Sequence, residues 1–152
     1  MTVLASIRPD DVNVALLVHV VGAMTLVGAL VTAATASIVG WRDETATLLR
    51  LSWKTLLFVA VPAFIAMRVG GEWTYVEENL DDAPDLVWVG IGFITSDLGA
   101  LLLLLALVLG GIGLRRTRSG GGVGLLRASG VIAAFLVLIY IVAIWAMGAK
   151  PT

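Results

Sequence analysis

The apolar positions of this chain do not alternate with polar ones. They come in four long runs, at about residues 12–39, 51–69, 86–114 and 125–148. Each run matches or exceeds the ~20 residues with which an α-helix crosses a bilayer's hydrocarbon core. A helix that is apolar all round belongs inside a large protein or in a membrane. A chain of 152 residues is too short to bury four of them. The pattern therefore predicts an all-α polytopic membrane protein: four transmembrane helices in an antiparallel bundle, forming one domain over residues 1–152.

Polar and helix-breaking residues punctuate the runs. Gly40-Trp41-Arg42 is expected to end helix 1, and Thr45–Lys54 to begin helix 2 as a water-exposed turn or two. Pro62 removes a backbone donor and predicts a kink, which bundle neighbours tolerate. Gly70-Gly71 is expected to end helix 2. Residues 70–85 then form an acidic loop. Within it Trp73, Val76 and Leu80 suggest one face of a short interfacial helix, broken by Ala83-Pro84-Asp85. Arg115-Arg116 closes helix 3, the loop 115–124 is glycine-rich, and Lys150-Pro151 stops helix 4. Trp41 and Trp53 fit an interfacial belt.

Composition sharpens the picture. Hydrophobic residues make up 59 % of the chain, and the mean hydropathy is +1.01. There is no cysteine, which excludes disulfides, thiolate metal sites and cysteine redox chemistry. A net charge of −1 gives no reason to expect nucleic acid. The distribution of charge is more informative. Arg42, Arg50, Lys54, Arg115, Arg116, Arg118 and Arg127 place seven of ten basic residues on one side. The positive-inside rule makes that side cytoplasmic, so both termini are expected outside an inner or plasma membrane. Ala34-Thr35-Ala36 fits a signal-peptidase site. The run before it is too long, however, and its flank is acidic, so helix 1 is read as retained.

Membrane helices associate through small residues and polar contacts. On helix 1, Ala15, His19, Gly22, Leu26, Ala29, Ala33 and Ala36 share such a face. On helix 3 the expected face is Gly90, Phe93, Asp97, Ala100, Leu104 and Gly111. On helix 4 it is Ser129, Ala133, Leu136, Tyr140, Ala143 and Met147. Intramembrane polar groups normally face the interior and pair. His19, Arg68, Asp97 and Tyr140 all fall in the outer half, together with Met67 and Met147. The inner half reads as Leu, Val, Ala and Gly. The expectation is a polar pocket opening outward above an apolar plug.

A histidine beside a carboxylate supports several chemistries. Asp97 can fix the tautomer of His19. His19 can then ligate a metal or a haem iron, relay protons, or simply hydrogen-bond a neighbouring helix. Met67 or Met147 would be a second axial ligand. Arg68 is an interface anchor or a substrate clamp, and Tyr140 a packing residue with one hydrogen bond.

Two segments carry a resemblance. Leu17-Val-His19-Val-Val-Gly22-Ala-Met-Thr-Leu-Val-Gly28 resembles the first-helix pattern LHxxGAxxWxGG of a group of uncharacterised four-helix bacterial membrane proteins. Ile144-Trp-Ala-Met-Gly-Ala-Lys150-Pro151 is similar to their WxMxxKP ending. That group is distantly similar to the CopD copper-resistance membrane domain and to HemJ, a haem-associated protoporphyrinogen oxidase. The resemblance implies that His19 is a haem ligand. Where HemJ-like chains continue Pro-Arg-Leu-Phe-Val-Tyr-His, this chain has Thr35-Ala-Ser-Ile-Val-Gly-Trp-Arg42.

Three functional readings stay open. The first is a pocket of His19, Asp97, Arg68, Tyr140 and Met147 that binds haem b for redox or porphyrin handling, with His19 on the iron. The second is a structural or accessory membrane subunit, or a homo-oligomer, without cofactor. The third is proton or ion passage past Asp97. In each the lipid bilayer is the first partner, with further copies or a larger membrane complex beyond it.

Overall fold

The computed structural model describes residues 10–43, 46–80 and 86–150. Four helices fill them: α1 Asp10–Arg42, α2 Ala46–Glu77, α3 Val87–Arg116 and α4 Val123–Ala149. All four are long and apolar enough to cross a membrane, and no strand occurs among the described residues. The chain is an all-α, four-helix membrane protein. One end of the bundle carries Glu72, Glu77 and Glu78 and is called the acidic end below. The opposite, basic end carries Arg42, Arg50, Lys54, Arg115, Arg116 and Arg127.

Helix α1 packs along both α2 and α4, and α3 packs along α4. Helices α1 and α3 lie diagonally opposite, and of the adjacent pairs α2 and α3 touch least. The order around the bundle is therefore α2–α1–α4–α3, with a loose seam between the two outer members. Leu26, Leu30, Leu56 and Leu136 are at most 1 % exposed, and they form the centre with Leu103, Ala60 and Ala133. The face expected of α1 is the one that packs: Ala15, Gly22, Leu26, Ala29, Ala33 and Ala36 are buried and His19 is half-buried.

Helix α2 is much longer than the 51–69 run. Its first turns bury Leu49 and Ser52 against neighbouring helices and leave Thr47, Arg50, Leu51 and Lys54 exposed. Thr45 lies outside the described residues. At Leu56–Ala60 the helix widens into a π turn, in which the Val61 N–H donates to the Leu56 carbonyl five residues back. Pro62 stands immediately after. A proline ring crowds the carbonyl four residues earlier, and a widened turn relieves that crowding. Gly70-Gly71 does not end the helix. Both glycines are contact points for α1, and the helix continues to Glu77 through the stretch expected to be a separate interfacial helix. Asn79, with φ 48°, supplies the left-handed residue that turns the chain away. The expected break at Ala83-Pro84-Asp85 lies outside the described residues.

Helix α3 is rotated by one residue from the expected face. Ser96, Gly99, Leu103, Ala106, Gly110 and Gly113 are buried, whereas Leu104 is 60 % exposed. The expectation placed the carboxylate inward. The glycines decided instead, because they let neighbouring atoms approach closely. Tyr140 lies on Gly99, Trp53 on Gly110, and Leu125 and Leu126 on Gly113.

The basic half is also not the plain apolar plug expected. Ser37, Ser52 and Ser129 are each at most 2 % exposed. They come from α1, α2 and α4, at a common depth of about 8–9 Å from the basic helix ends at 1.5 Å per residue. The apolar layer lies between this serine layer and the polar groups of the acidic half.

Candidate functional site

His19 sits where two backbones touch. A side chain at Gly22 would run into the Met67 backbone, with Met67 Cα 2.8 Å from its Cβ. A side chain at Gly70 would likewise meet His19 Cα at 2.8 Å. Gly22 faces Met67 as Gly70 faces His19, so α1 and α2 cross with a local two-fold relation. Within this contact His19 Nδ1 donates to the Met67 carbonyl over 2.7 Å, and the imidazole lies flush on Gly71. The imidazole thus joins the two helices directly and makes no hydrogen bond with Asp97.

Asp97 belongs to a second group, on the α2–α3 seam. Arg68 Nη1 lies 3.1 Å from Asp97 Oδ1, and Arg68 Nη2 lies 2.9 Å from Glu72 Oε1 on its own helix. The guanidinium also stands over the Phe93 ring at 5.1 Å, and Phe93 meets Tyr75 edge-to-face at 5.4 Å. Arg68 therefore bridges α2 to α3. Asp97 was expected inside the bundle. Its side chain is 71 % exposed, because the face of α3 that carries it turns away from α4. It lies ten residues past Val87, about 15 Å along the helix.

Tyr140 is 5 % exposed and packs against Gly99. Its hydroxyl has no protein partner, and neither has that of Ser96 on the same buried face of α3. The hydrogen bond expected of Tyr140 is therefore not made to protein. Met147 is 36 % exposed and rests its methyl on Gly92, where it packs α4 against α3. Met67 is buried in the core, and its carbonyl is what His19 uses.

The five residues expected to enclose a haem b do not converge on one slot. His19 is held in the α1–α2 contact, Arg68 and Asp97 bridge α2 to α3, and Tyr140 and Met147 fill the α3–α4 seam. Among the described residues, no three His, Asp or Glu side chains gather as a metal would need.

Reading the sequence missed three participants. Glu72 stands four residues after Arg68, a spacing that signals a helical ion pair. Phe93 was assigned to the buried face, and Tyr75 was not singled out. No family known from its sequences, no curated protein and no solved structure matches this chain.

Proposed function

We propose that this chain is a structural or accessory subunit of a membrane assembly, without a cofactor of its own. One observation carries the reading: the Asp97 side chain is 71 % exposed at membrane depth. It stands within an exposed apolar stripe of α3 formed by Ile94, Leu98, Leu101 and Leu105. A carboxylate turned to hydrocarbon costs several kcal/mol, and such groups face protein or water-filled cavities instead. Another protein surface over this stripe removes the cost. The seven basic residues gathered at one end support a cytoplasmic position for that end, in a plasma or inner membrane, with both termini outside.

The test is crosslinking in native membranes from single cysteines placed at Ile94 and Leu101, with Met24 on the exposed side of α1 as control. Adducts are expected from the α3 positions and not from Met24. Equal, weak labelling at all three positions would sink the reading. So would a haem-type absorption band, one per chain, that disappears in His19→Ala.

A further inference from the structure

The face around Asp97 carries its own complement. Arg68 on α2 and Asp97 on α3 stand side by side at one depth, and their side chains are 31 % and 71 % exposed. A second copy inserted in the same direction is related to the first by a two-fold axis along the membrane normal. That rotation exchanges left and right and preserves depth. It brings α2 of one copy opposite α3 of the other. Each Arg68 then faces the other copy's Asp97, as the isologous symmetry of a dimer requires. No other alignment of the face is needed for the charges to match.

We infer that the occupant of this face is a second copy of the chain, and that the two copies close a ring of alternating Arg68 and Asp97 side chains across the axis. Glu72, 2.9 Å from Arg68 and 47 % exposed, lies beside the ring and takes a share of each guanidinium. The exposed stripe of Ile94, Leu98, Leu101 and Leu105 supplies the apolar contact around it. Arginine suits this position because its planar fork engages two carboxylates at once. The inference rests on the assembly reading above and names the partner that reading leaves open.

Charge reversal tests it. Two differently tagged copies are expressed together, and their co-purification is measured from membranes and in lipid nanodiscs. Arg68→Asp alone leaves acids at both ring positions, and Asp97→Arg alone leaves bases at both, with Glu72 beside them. Each is expected to lower self-association about tenfold or more, since like charges across an interface are strongly penalised. Co-expressing Arg68→Asp in one tagged copy with Asp97→Arg in the other restores opposite charges between copies but not within either. Recovery of the mixed pair to near wild-type yield is the expected result. The chain carrying both substitutions keeps attraction within and between copies and should also associate. It serves as the check that the substituted chains still fold.

The inference is overturned if the single reversals self-associate like wild type. It is equally overturned if only the doubly substituted chain recovers, because the pair then matters within one copy. Crosslinks from Ile94 and Leu101 to a different protein, without self-association, would overturn the second copy while leaving the assembly reading standing. Absence of any α3 crosslink would remove both.

Discussion

Helix α2 meets its two flanking helices in opposite ways. Against α1 the contact is made by what is missing. Gly22 and Gly70 bring the backbones together, and the imidazole of His19 seals the join on the Met67 carbonyl. Against α3 the backbones stay apart, and long side chains span the distance. Trp53 Nε1 donates to the Leu107 carbonyl at 3.0 Å near the basic end, and Arg68 reaches Asp97 at 3.1 Å nearer the acidic end. In lipid, close backbone approach yields dispersion contact that alkyl chains cannot replace. A seam held by bridging side chains leaves polar atoms on view and can be opened or covered. The first seam builds the fold, and the second is free to serve something outside it.

The difference is broken most directly at the tight seam. Gly22→Val or Gly70→Val should destabilise the bundle by about 3 kcal/mol, because the obstruction is backbone and cannot swing aside. Gly28→Val should be close to neutral, since nothing lies within 4 Å of a Cβ built there. Unfolding in mixed micelles, followed by tryptophan fluorescence, gives both numbers. Equal effects at Gly22 and Gly28 would mean that α1 and α2 do not touch as described.

The loose seam should respond less. Trp53→Ala is expected to cost about 2 kcal/mol, since a half-buried ring laid over Gly110 is lost. Trp53→Phe keeps most of the ring and gives up only the bond to Leu107, so its cost should fall to about 0.6 kcal/mol. If the two substitutions cost the same, the hydrogen bond rather than the packing closes this seam. His19→Ala removes one hydrogen bond from the tight seam and should cost about 1 kcal/mol. A larger loss, or a visible absorption band that vanishes with it, would return His19 to the role of ligand.

The sequence made some of this plain and concealed the rest for definite reasons. Four spans were legible because apolar length alone sets them. The packing face of α1 was legible because its alanines and Gly22 recur at helical spacing in line with His19. Helix α3 offered no such contrast. It is apolar all round, with glycines on more than one side, so its rotation was assigned from Asp97 and came out one residue off. Gly70-Gly71 looked like a helix end because glycine is a poor helix former. Contact with α1 overrode that propensity. The partner of His19 is a backbone carbonyl, and nothing in a sequence distinguishes the Met67 carbonyl from its neighbours. Ser37 and Ser52 were passed over, and Ser129 was read only as part of a packing face, because their common depth appears only once the helix ends are known.

The smallest expected effect separates the two seams most sharply. In dilute micelles, where copies are apart, Arg68→Leu, Asp97→Leu and their combination form a double-mutant cycle on the stability of one chain. The coupling should be about 0.6 kcal/mol, in keeping with polar pairs measured between membrane helices. Two features keep it low: Asp97 is largely exposed, and Arg68 retains Glu72 as a second partner when Asp97 is removed. The same cycle measured on association in nanodiscs should give a coupling several times larger. There each side chain has a second partner to lose, and the surroundings are drier. A coupling near 3 kcal/mol in the isolated chain would contradict this. The pair would then be a structural clasp comparable to the glycine contact, and the exposed carboxylate would no longer argue for anything beyond its own bundle.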